Sequence, residues 1–142
     1  MTTSTIEPKF RTITLTGRRP VKINEAEWPT LAQGVWTDHD GTIREQANRT
    51  WTLSLRVRQH ADGRAIVYAT YEYDTQFQGE PDYACRVGRL VDAGADLPTI
   101  ITEVGRLMDD RLEDLADRPA EGRQHVRDVV ADAIADLPAE TI

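Results

Sequence analysis

The stretch from Arg49 to Thr75, RTWTLSLRVRQHADGRAIVYATYEYDT, limits what this chain can fold into more than any other. Trp51, Leu53, Leu55 and Val57 alternate with Thr52, Ser54, Arg56 and Arg58, the period-two pattern of a half-buried strand. After the turn, Ala65, Val67, Ala69, Tyr71 and Tyr73 alternate with Ile66, Tyr68, Thr70 and Glu72. A two-residue Asp62-Gly63 loop would set Val57 against Tyr68 and Leu53 against Glu72, mixing apolar with charged side chains. A three-residue loop, Ala61-Asp62-Gly63, pairs Val57 with Val67, Leu55 with Ala69 and Leu53 with Tyr71. That register keeps one face apolar throughout and puts Gly63 where such loops need a left-handed residue. The expectation is one long hairpin with a three-residue turn.

Its other face carries Thr52, Ser54, Arg56, Arg58, Ile66, Tyr68, Thr70 and Glu72, with Arg56 across from Tyr68 for stacking or cation–π contact. Two readings are open. The face is an ordinary solvated sheet surface, or it binds a partner through Arg56, Arg58 and Tyr68, residue types suited to adaptable contacts.

Upstream, Phe10 to Thr16 alternates like a strand, Gly17-Arg18-Arg19-Pro20 has turn chemistry, and Val21 to Ile23 returns. Pairing Leu15 with Val21 and Ile13 with Ile23 makes a first hairpin, preceded by a loosely held segment over residues 1–8. Asn24 with Glu27 three residues on has the form of a helix start. Pro29 in the second turn predicts a short or irregular helix over residues 25–33, closed by Gly34, with Trp28 and Leu31 tucked against the sheet. The loop His39-Asp40-Gly41 resembles Ala61-Asp62-Gly63, which predicts another hairpin with Thr37 opposite Ile43 and Trp36 opposite Arg44. Gln46 to Asn48 then turns the chain into the central hairpin.

Downstream, Gln76 to Tyr83 is a Gly- and Pro-containing loop bracketed by Phe77 and Tyr83, which would hold apolar contact groups on a rigid base or fold back over the sheet edge. Residues 84–95 fit a strand or a poor helix interrupted by Gly88, and read as irregular or briefly extended. Two helices follow. Asp96 and Pro98 start one whose stripe is Ile101, Val104, Met108, Leu112 and Leu115, and Asp117-Arg118-Pro119 breaks it. Val126, Val129, Val130, Ala133, Ile134 and Leu137 form the stripe of the second, ended by Pro138. Hairpins followed by helices indicate an α+β fold, an antiparallel sheet with two C-terminal helices on one face, as a single domain over residues 1–142.

Charge is unevenly spread. The net charge is −7, but residues 1–89 hold 12 Lys and Arg against 11 Asp and Glu, whereas residues 90–142 hold 5 against 13. An acidic helical half favours a basic partner over nucleic acid phosphates, or simply confers solubility. A single cysteine, Cys85, allows no intrachain disulfide and suits a reducing cytoplasm. The N-terminal MTTSTIEPKF lacks the pattern of a signal peptide, and no stretch is apolar enough to span a membrane. A cytoplasmic location without a membrane partner is the expectation.

No catalytic motif stands out. Asp38, His39 and Asp40 lie close in sequence, but no second His or Cys follows at a ligand spacing, so neither a metal nor a cofactor is expected. Cys85 lacks the surroundings of a nucleophile and reads as a structural thiol. Glu72, Asp74, Glu80 and Asp82 alternate near the hairpin end and supply carboxylates for acid–base chemistry or, more simply, for solvating a loop.

The segments ITLTGRRPVKINEAEWP and RQHADGRAIVYATYEYDTQFQGE resemble stretches of small conserved hypothetical proteins from proteobacterial plasmids and integrative elements. The resemblance spans roughly residues 10–105 and brings no activity or site residues with it; what it implies is an accessory role on mobile DNA. Together these readings point to a non-enzymatic protein-binding module using Arg56, Arg58, Tyr68, Phe77 and Tyr83, with a dimer through the open sheet face as one arrangement. Single-stranded nucleic acid binding on that face and an enzyme built on the carboxylates from Glu72 to Asp82 are the alternatives.

Overall fold

In a computed structural model, Arg49–Gln59 (β4) and Ala65–Thr75 (β5) form the expected hairpin, with Val57 opposite Val67, Leu55 opposite Ala69 and Leu53 opposite Tyr71. The structure describes residues 7–40, 49–77, 79, 82–114 and 123–139. Gly63 has φ 95° and donates its N–H to the His60 carbonyl at 2.9 Å, so the three-residue turn forms as the alternation requires.

Two further strands widen this hairpin. Thr30–Asp40 (β3) pairs with β4, and Tyr83–Val91 (β6) pairs with β5, giving a four-stranded antiparallel sheet in the order β3-β4-β5-β6. Two expectations are corrected here. Trp36 lies opposite Leu53 and Thr37 opposite Thr52, not opposite Arg44 and Ile43. The long apolar alternation of β4 offers β3 far more buried contact than a short hairpin could. Residues 42–45 and the turn at Gln46 to Asn48 lie outside the described residues. Residues 83–91 are a full strand, because Gly88 is a docking point within it and not a break.

The helix foreseen over residues 25–33 is absent. Asn24 does start a turn, its side chain accepting from the Ala26 N–H at 3.0 Å and its carbonyl from the Trp28 N–H at 3.1 Å. Pro29 ends that turn, and the chain enters β3 at Thr30, with a register shift between Thr30 and Ala32.

Leu97–Glu113 (α1) and Val126–Asp136 (α2) cover the apolar face of the sheet, and a short 3-10 turn at Arg123–His125 leads into α2. Ile101, Val104, Met108, Leu112, Val129 and Ala133 bury against Leu53, Leu55, Val57, Val67, Ala69 and Tyr71. Leu115 and the break at Asp117-Arg118-Pro119 lie outside the described residues. α2 crosses β3 so closely that a Cβ on Gly34 would meet the Val129 carbonyl oxygen at 2.2 Å. Gly34 is therefore a contact between backbones, not a helix stop. Asp96 leads into α1 and accepts from the Thr99 hydroxyl at 2.6 Å. Arg89 of β6 is ion-paired with Glu103 of α1.

The opposite face is not fully open. Phe10–Ile13 (β1) and Val21–Asn24 (β2) pair into a separate hairpin whose Ile13, Leu15, Ile23 and Trp28 form a second core with Ile66 of β5. Its register differs by two residues from the expectation: Ile13 lies opposite Val21 and Arg11 opposite Ile23. A shift of two keeps the same side chains inward. It releases Thr14 to Thr16 to reach β6, where the Thr16 N–H donates to the Gly88 carbonyl at 2.8 Å and the Gly88 N–H to Thr16 Oγ1 at 3.1 Å. Of the segment expected to be loose, residues 1–6 lie outside the described residues and Glu7 and Pro8 are exposed; just after it, the Lys9 carbonyl accepts from the Glu25 N–H at 2.9 Å.

Candidate interaction face

The register arranges the second face of the sheet in cross-strand rows. Nearest the turn end, Arg58 lies beside Ile66, followed by Leu90. Next come Gln33, Arg56, Tyr68 and Gly88, then Val35, Ser54, Thr70 and Arg86. The following row is Thr37, Thr52, Glu72 and Ala84, and beyond it stand His39, Thr50 and Asp74. The β1–β2 hairpin covers Ile66, Tyr68, Gly88 and Leu90, and among the described residues it leaves the rows from Val35 onward partly to fully exposed.

Arg58 explains how the covered end is held. The residue is only 5% exposed, yet each nitrogen of its guanidinium has a partner. Nε donates to the Tyr68 hydroxyl at 2.9 Å, Nη1 donates to the Trp28 carbonyl at 3.0 Å, and Nη2 lies 3.7 Å from Glu25 Oε1. Glu25 also pairs with Arg11 Nε at 2.7 Å, and the Arg11 guanidinium holds this carboxyl below its usual range. A buried charge is tolerable only when paired and hydrogen-bonded in this way. Arg58 is thus not on an open surface, which corrects that expectation, while Tyr68 is half-buried against the hairpin and the phenol that Arg56 was expected to meet is bonded by Arg58.

The other three candidates separate. Arg56 stays on the second face beside the hairpin, partly exposed. Tyr83 lies on the helix-covered face, its ring 5.2 Å from Tyr73 and 6.0 Å from Tyr71, in an aromatic group that includes Trp51 at 5.5 Å from Tyr73. The Trp51 indole N–H is buried there without a hydrogen-bond partner, which costs about 1–3 kcal/mol. Phe77 is 45% exposed, with the Arg49 guanidinium 4.5 Å above its ring. The five residues therefore occupy four different places.

The carboxylates stand near the end of the β5–β6 pair. Glu72 and Asp74 point to the second face, while Asp82 accepts from the Thr75 N–H at 2.8 Å and fastens the end of the β5–β6 connection. Glu80 lies outside the described residues. Burial pushes the Cys85 thiol up, against the opposing pull of Arg111 and Arg86, so it is a poor nucleophile. Among the described residues no group of His, Cys, Asp and Glu is placed to hold a metal ion, and no helix is long and apolar enough to cross a membrane.

Sequence reasoning missed Val35, Thr37 and Arg86 as members of the open surface. Val35 is half exposed, at 50%. Its signal is the alternation of β3, which is visible only once β3 is extended to its full length. Comparison with protein-family models, with curated proteins and with solved structures found no match.

Proposed function

We propose that this protein is a non-enzymatic protein-binding module, an accessory factor of a mobile element, and that its contact surface is the open half of the second sheet face. The observation that carries this reading is the division of that face: the hairpin covers the rows at one end and leaves Val35, Thr37, Thr52, Ser54, Thr70 and Arg86 uncovered. These side chains make a flat surface of hydroxyls with one exposed apolar group. Arg56, Arg86 and Glu72 supply both signs of charge around it, the mixture a protein partner matches more readily than a phosphate backbone does. The nucleic-acid alternative rests on Arg56, Arg58 and Tyr68, and Arg58 is buried under the hairpin with its guanidinium on the Tyr68 hydroxyl. The enzyme alternative rests on Glu72, Asp74, Glu80 and Asp82, of which Asp82 is engaged with the Thr75 N–H.

The test is recovery of partners from a host lysate by wild type and by Ser54→Arg with Thr70→Arg. Both residues lie mid-surface, clear of the hairpin, so circular dichroism should be unchanged while recovery is lost. A folded double variant that recovers the same partner would move the contact surface elsewhere. Capture that weakens steeply with salt would instead favour the nucleic-acid reading.

A further inference from the structure

The outer strands of the sheet are closed to pairing at some positions and open at others. Along β3, the N–H groups of Gln33, Val35, Thr37 and His39 point away from β4, as alternation in an antiparallel ladder requires. Two of them are already taken. The Gln33 N–H donates to Asp136 Oδ2 of α2 at 2.9 Å, and the His39 N–H to Asp38 Oδ1 at 2.8 Å. Along β6 the corresponding groups of Gly88 are taken by Thr16. Among the described residues, what remains on β3 is a window from Val35 to Thr37, bounded at each end by a carboxylate.

That window has the properties of a pairing edge. From Gln33 to Thr37 no residue is charged, and Val35, Trp36 and Thr37 are all strong strand formers. Val35 also leaves an apolar side chain half exposed beside the unpaired backbone. The free stretch of β6 differs, because Arg86 stands in it and a second copy would bring two arginines together.

We propose that a second copy of this chain pairs antiparallel along β3, about a two-fold axis at Trp36. That register sets Val35 opposite Thr37 of the second copy and Thr37 opposite its Val35, each pair exchanging two N–H···O bonds. A neutral β-branched edge then meets its equal, and the two sheets become continuous. The next pair outward, Gln33 with His39, is withheld because Asp136 and Asp38 occupy those N–H groups. These carboxylates limit the paired stretch, so the association is weak and concentration-dependent. The proposal is independent of a partner on the open face, because it uses the edge.

Sedimentation equilibrium of the full chain up to about 1 mM tests it. Wild type should show a monomer–dimer equilibrium. Thr37→Pro removes an outward N–H that β4 does not use, and should be folded and monomeric. Val35→Lys, which sets like charges diagonally across the new pair, should weaken dimerisation independently of any effect of proline on folding. Asp136→Ala frees the Gln33 N–H and should tighten the dimer roughly tenfold. A wild type that stays monomeric overturns the proposal, as does a folded Val35→Lys variant that dimerises as wild type does. Unchanged or weaker association of Asp136→Ala would remove the limiting role of the carboxylate.

Discussion

The two faces of the central sheet are covered by different means. On one, α1 and α2 bury Leu53, Leu55, Val57, Val67, Ala69 and Tyr71 under a continuous apolar layer, and Gly34 lets the backbone of α2 rest on β3. On the other, a two-stranded hairpin and the turn after it bring Ile13, Leu15, Ile23 and Trp28, with Val21 beside them, and rely on Gly88, Thr16 and the buried Arg58 as fastenings. The first is an apolar interface that the sheet cannot do without. The second is a small core tied by polar contacts at one end of a face whose other end stays open. Stability and surface are thereby assigned to different sides of the same strands.

Substitutions at the two docking glycines should separate these roles. Gly34→Val drives a side chain into the Val129 carbonyl, an atom that cannot move without lifting α2, and should cost more than about 3 kcal/mol, seen as global loss of cooperativity in a thermal melt. Gly88→Val meets the Thr14 carbonyl at 2.4 Å and should cost about 1–3 kcal/mol. Its effect should be local: faster proteolysis between Phe10 and Asn24, with the helix signal in circular dichroism retained. Global unfolding of Gly88→Val would show that the hairpin is as essential as the helices.

A smaller effect should appear with pH. Glu25 has its folded-state pKa lowered, first by the hydrogen bond from Arg11 and also by the charge of Arg58. Its contribution is complete above the unfolded value of about 4.3 and is lost as pH falls through the lower folded value. Glu25→Gln should therefore be less stable than wild type near neutrality, and the gap should close on acidification below about pH 4. A gap independent of pH would mean that the carboxylate charge does not hold the hairpin.

How much of this was legible follows from where the deciding contacts lie. The β4–β5 register could be derived because alternation and turn chemistry are both local, and the stripes of α1 and α2 for the same reason. Trp36 was misassigned because a nearby Asp-Gly pair suggested a local partner, whereas the real partner, Leu53, lies beyond a connection of unremarkable sequence. Arg58 reads as solvated in any strand pattern. Its burial depends on a hairpin more than 30 residues earlier returning over the sheet, with Trp28 supplying an acceptor. Gly88 reads as a break for the same kind of reason, since Thr16, which makes it a docking point, is 72 residues away. The open half of the face could not be outlined until the covered half was known.

The hairpin is a locally fastened cover and the helices are a global one, a difference that native-state hydrogen exchange reads directly. The β1–β2 ladder amides from Phe10 to Ile13 and from Val21 to Asn24 should exchange through a smaller opening than those of Leu53 to Val57 in β4. Gly88→Ala should speed the first group and leave the second unchanged. If instead the hairpin amides are protected as strongly as those of β4, and both groups respond together to Gly88→Ala, the hairpin belongs to the global core and the division of the sheet into a stabilising face and a partly open one is wrong.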